Sequence, residues 1–131
     1  MTRATQDRIE QIARGTVAGF PEPFARLAAP VAIRVAEELP DHLIDPDDDP
    51  KVQRDEITGM YDGVPMTLKS HYDEPYGPDV VWLFRRPILE ELADRPGETL
   101  ERLVAHVTVH EFAHHFGWSD DDIAAIDRWW E

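Results

Sequence analysis

The stretch from His106 to Asp120 reads HVTVHEFAHHFGWSD and holds four of the six histidines of the chain. His110 and His114 are four positions apart. On an α-helix that is about 400° of rotation, which leaves the two side chains roughly 40° apart and one turn along. Two neutral imidazoles so placed can converge on one metal ion. Glu111 lies between them, near the same edge. This is the H-E-x-x-H arrangement, in which two histidines bind zinc and the glutamate takes a proton from the activated water. Zinc usually takes three protein ligands plus water where it is catalytic. Gly117 allows a sharp turn without a Cβ clash, and Asp120 follows it, where its carboxylate can return as a third ligand. The full pattern is H-E-x-x-H-x-x-G-x-x-D. In a chain of this composition the bare motif arises by chance at roughly a few per cent, and with the glycine and aspartate fixed on the order of one in ten thousand.

Other residues border this pattern. His106 lies one turn before His110, where a fourth protein ligand would close the site, so it reads as a surface or supporting residue. His115 points about 100° away from His114 and reads as packed on the helix flank. Tyr61, His71, Tyr72 and Tyr76 are candidates for a second electrophile, though each residue type is more often packing or surface. Arg85 and Arg86 fit a substrate carboxylate less well than they fit the acidic groups around them.

A helix must carry the motif, and Glu98 to Phe116 supplies it. Leu100, Leu103, Val104, Val107, Val109 and Phe112 give it an apolar side, and Gly117 suits the stop. Ser119 or Asp120 can cap a last helix over DDIAAIDRWW, with Trp129 and Trp130 packing it down. Upstream, the spacing of Ile9, Ile12, Ala13, Val17 and Phe20 predicts a helix over 6–18. EPFARLAA adds a short turn. Val31, Ile33 and Val35 alternate as in a strand that Pro40 stops. A strand is expected from Ile57 to Tyr61, then a turn at Asp62-Gly63 and a second strand. VVWLF, from Val80 to Phe84, reads as a buried strand that can hold an extended peptide if it lies at a sheet edge. ILEELADR reads as a short helix. The segment PDHLIDPDDDPKVQRDE reads as a polar, proline-broken loop. Asp45, Asp47, Asp49 and Glu56 fall at calcium-loop positions, but Pro50 stands where that loop needs glycine, so it reads as a solvated acidic loop.

Composition sets the bounds. The 131 residues suit one domain over 1–131. Cysteine is absent, which excludes disulfides, thiolate metal sites and a cysteine nucleophile. The net charge of −14 repels phosphate backbones, so nucleic acid is not an expected partner. No apolar run is long enough to span a membrane. The N-terminus lacks the apolar stretch of a secretory signal, so a cytoplasmic location is expected.

With these residues in hand, the sequence resembles the minimal zincin-like metallopeptidases, a group of small bacterial proteins. It is similar to the metzincin clan in its H-E-x-x-H-x-x-G-x-x-[HD] motif. EITGMYDGVPMT is similar to the family's strand-and-turn segment, commonly L-x-G-x-Y-x-G. PDVVWLFRRPIL looks like its next strand, and VTVHEFAHHFGWSDDDI matches its signature helix and turn. The resemblance implies an α+β fold, with a small sheet packed beside an active-site helix. It implies zinc on His110, His114 and Asp120, Glu111 as catalytic base, and a peptide or protein substrate. Larger metzincins carry a methionine turn downstream of the motif, whereas Met1, Met60 and Met66 all lie upstream of it here. Weak or narrowly specific hydrolysis is therefore expected. The alternative is a zinc-binding regulatory or protein-interaction module with little turnover.

Overall fold

The computed structural model describes residues 2–63 and 79–117. The expected second strand after Gly63, the last helix with Trp129 and Trp130, and the residues His71, Tyr72, Tyr76 and Asp120 lie outside them. The described elements are α1 (Thr2–Ala18), α2 (Phe24–Ala28), β1 (Ala32–Ala36), a 3-10 turn at Asp41–Leu43, α3 (Pro50–Glu56), β2 (Gly59–Asp62), β3 (Val80–Phe84), α4 (Arg85–Ala93) and α5 (Leu100–His115). Helices beside a small mixed sheet make this the α+β architecture expected from the resemblance.

The sheet order is β1-β3-β2. β1 runs parallel to β3, with Ile33 opposite Val81 and Val35 opposite Leu83. β2 runs antiparallel to β3, with Gly59 opposite Leu83 and Tyr61 opposite Val81. Alternate residues of a strand share a face, so Ile33, Val35, Val81, Leu83, Gly59 and Tyr61 line one side. The core lies on that side. Ile9 and Ala13 of α1, Ile88 of α4, and Leu103, Val104, Val107 and Phe112 of α5 pack with Ile33, Val81 and Leu83. Full burial of such aliphatic and aromatic side chains contributes about 1.5–3 kcal/mol each. Phe20 and Phe112 meet edge to face at 5.7 Å, and Phe24 and Phe116 lie tilted at 5.0 Å, which seats the chain just after α1 and the start of α2 against the end of α5.

Two expectations are corrected. β3 is the central strand, hydrogen-bonded on both sides, so its backbone cannot hold a peptide by edge pairing. The acidic stretch is not all loop. Asp49 accepts the Lys51 N–H at 2.8 Å as N-cap, and Pro50 starts α3, where its fixed φ and missing N–H are tolerated. Gln53, 8% exposed, organises the turn ahead of it. Its amide oxygen accepts from the Asp45 N–H, and its amide nitrogen donates to the carbonyls of Asp45 and Asp48. The Asp45 carboxylate accepts from the Asp47 N–H. Asp45 and Asp49 thus each commit a carboxylate oxygen to backbone donors.

Candidate metal and catalytic site

α5 starts on Thr99, whose hydroxyl accepts the Arg102 N–H at 3.1 Å, and stops at Gly117, which has φ +89°. The Gly117 N–H donates to the His114 carbonyl at 3.0 Å. This is the expected glycine stop, since a left-handed residue suits glycine best. Between these ends α5 is buried on more than one face. Leu103, Val104, Val107, Thr108, Val109, Phe112, Ala113 and His115 are all inside. The strip left towards solvent carries His106, exposed, and His110, Glu111 and His114, half-buried.

The rings of His110 and His114 lie 5.0 Å apart, centroid to centroid, at an interplanar angle of 78°. Two imidazoles on one tetrahedral zinc, at about 2.0–2.1 Å from nitrogen to metal, would hold their centroids about 5 Å apart. The pair therefore fits a shared ion. His106 and His110 are 6.5 Å apart, too wide for the same ion, and His106 stays a surface residue as expected. Among the described residues, no group of three or more histidine, aspartate or glutamate side chains is arranged to hold a metal. The expected third ligand, Asp120, is outside them.

Glu111 and His114 open onto a groove of about 460 Å³, whose far wall is β2 and its flanks: Ile57, Gly59, Met60, Tyr61 and Gly63. Gly59 makes the close approach. A Cβ there would meet Val107 Cγ1 at 2.7 Å and Glu111 Cγ at 3.3 Å. Tyr61 reaches the groove, but its hydroxyl is engaged by His115 Nδ1 at 3.2 Å. Burial raises the phenol's pKa, and the nearby Asp79 carboxylate raises it further, so Tyr61 remains a neutral hydroxyl. His115 is 3% exposed, packed on the helix flank as the sequence suggested. It also lies 3.4 Å from Asp79 Oδ2.

Arg85 and Arg86 serve the acidic groups around them. Arg85 pairs with Glu37 at 2.8 Å. Arg86 binds Asp55 at 2.9 Å, Glu38 at 3.0 Å and Glu90 at 3.2 Å. These bonds, that from Asp55 foremost, hold its guanidinium more firmly protonated. Both arginines thus tie β1, α3 and α4 together. Sequence reasoning missed Asp79 and the contact at Gly59. An isolated aspartate ahead of an apolar run carries no local signal of a histidine partner, and a strand glycine signals only some close approach.

No helix among the described residues is long and apolar enough to cross a membrane. A comparison with curated proteins finds no match. A comparison with protein families matches the zincin-like metallopeptidases over residues 28–130. That span takes in the whole sheet, α5 and its motif, and the chain belongs to the zincin-like metallopeptidase family.

Proposed function

We propose that this chain is a zinc-dependent peptidase in which His110, His114 and Asp120 hold the ion and Glu111 is the general base. The observation that carries this reading is the 5.0 Å pairing of the His110 and His114 rings beside a groove lined by Glu111. Family membership supports zinc and a peptide or protein substrate. The donor pair also stands in the last two turns of α5, near the negative end of the helix dipole, which favours a cation.

Zinc bound there supplies Lewis acidity, lowering the pKa of water and polarising a peptide carbonyl. Glu111 accepts a proton from the attacking water on its carboxylate and returns it to the leaving amine. The wall from Ile57 to Gly63 holds the substrate chain against the helix. Tyr61 keeps its proton and does not compete with Glu111 as a base.

Elemental analysis of protein purified without chelator or histidine tag tests the site. About one zinc per chain, lost in His114→Ala, is expected. Glu111→Gln should keep the zinc and lose cleavage of a peptide library. A cellular function that survives Glu111→Gln but not His110→Ala would favour a zinc-bound regulatory module. Absence of stoichiometric zinc, even after zinc is supplied, would overturn the site.

A further inference from the structure

His115 follows directly on His114. Successive helix residues project about 100° apart, so His114 faces the groove while His115 turns into the protein. Its Nε2 lies 3.1 Å from the Leu27 carbonyl oxygen of α2. A carbonyl only accepts, so Nε2 carries the proton. Its Nδ1 lies 3.2 Å from the Tyr61 hydroxyl of β2 and 3.4 Å from Asp79 Oδ2, just ahead of β3. Nδ1 thus faces the phenol and the carboxylate together, and the phenol is itself hydrogen-bonded to Asp79. Three separate elements therefore grip one imidazole.

The grip is directional and tightly enclosed. His115 is 3% and Asp79 is 7% exposed, and buried polar groups that lose their partners are not rescued by water. Gly63 has no room for a side chain, because a Cβ there would press on Asp79 Oδ1 and stand 2.8 Å from the Tyr61 hydroxyl. A rotation of the last turn of α5 would break the contacts to Leu27, Tyr61 and Asp79 together. The same rotation would swing His114 away from His110.

We propose that Tyr61, Asp79 and His115 form a latch that fixes the rotation of the last turn of α5 and so aims the His114 imidazole at the metal. They are positioning residues, and the proposal rests on the reading of His110 and His114 as zinc ligands. The apolar cluster holds the helix down and sets which face is buried, and the hydrogen bonds add a directional constraint at its last turn.

The test compares wild type with Tyr61→Phe, Asp79→Asn and His115→Gln, the last able to keep a donor towards Leu27. Zinc affinity is read by competition with a chromophoric chelator, and ligand geometry by the visible spectrum of the Co²⁺-loaded protein. Tyr61→Phe and Asp79→Asn should weaken zinc binding roughly tenfold and shift the Co²⁺ bands, while the metal-free proteins keep their circular dichroism. Unchanged affinity and bands in both variants would overturn the latch, whether or not melting temperatures fall. If wild type itself takes up no zinc, the site reading falls and the latch with it. Tyr61→Phe removes one oxygen and keeps the ring that packs on the core, so it decides the matter even if Asp79→Asn does not fold.

Discussion

Gly59 lies directly against Glu111: a methyl group on its Cα would stand 3.3 Å from Glu111 Cγ and only 2.7 Å from Val107 Cγ1. The strand wall of the groove and the proposed base are thus in van der Waals register, and the missing side chain at position 59 sets their separation. Gly59→Ala must push α5 away or turn the Val107 side chain, and it crowds Glu111 as well. Overpacking of this kind costs about 1–3 kcal/mol. A lower melting temperature is expected, with a fall in kcat larger than any change in zinc content. Unaltered stability and turnover in the variant would show that the strand gives way freely.

Glu111→Gln is isosteric and removes only the base. Peptide cleavage should drop by roughly 10²–10⁴-fold, with zinc stoichiometry and melting temperature held near wild type. Cleavage at the wild-type rate would assign the base to another group.

The raised pKa of Tyr61, caused first by burial and then by Asp79, makes a pH prediction. A folded pKa above the unfolded value of 10.0 leaves stability intact below pH 10.0. Stability then falls as pH climbs from there towards the folded pKa, because only the unfolded state releases its proton. Urea midpoints should decline with rising pH in this window, and less steeply in Tyr61→Phe. Ultraviolet titration of the native protein should show a phenol step above pH 10.0 that Tyr61→Phe removes.

Asp55 gives the opposite sign. Its pKa is lowered by Lys51 first and by Arg86 next. The stabilisation is present above the unfolded value of 3.8 and is lost as pH falls from there through the folded pKa. Lys51 is exposed and Asp55 and Arg86 are partly so, so high salt should shrink the effect. Acid titration of wild type against Asp55→Asn, at low and high salt, reads this directly.

Thr99→Ala removes the hydroxyl that caps α5 through the Arg102 N–H. A loss of about 0.5–2 kcal/mol is expected in denaturant unfolding. Zinc binding should be untouched, since the cap lies at the far end of the helix from His110 and His114.

Elements whose determinants are local were legible before the fold was seen. α1 and α5 follow from apolar spacing, the end of α5 from Gly117, and β1 and β3 from β-branched and aromatic runs. α3 was hidden because Asp49 and Pro50, which start it, sit among other aspartates and prolines that read as breakers. The central place of β3 was not legible, since strand order is set by long-range pairing and not by the strand's own residues. In the site, His110, Glu111 and His114 were legible because the ligand spacing is the helix period. Asp79 was not, because only the fold carries it to His115.

β3 has two unlike neighbours. Among the described strands its antiparallel partner β2 is the nearer in the chain, while its parallel partner β1 comes from much earlier, with Ile33 opposite Val81. Closing the second pairing brings together strands separated by a long segment that carries α3 and β2, and the entropy of that closure is spent early. Folding should therefore be governed by the arrival of β1 at β3, with α1 following it onto the same face. Non-local parallel pairings are slow to form, so the half of the molecule that bears the histidines and the groove wall has the shorter path to its native contacts.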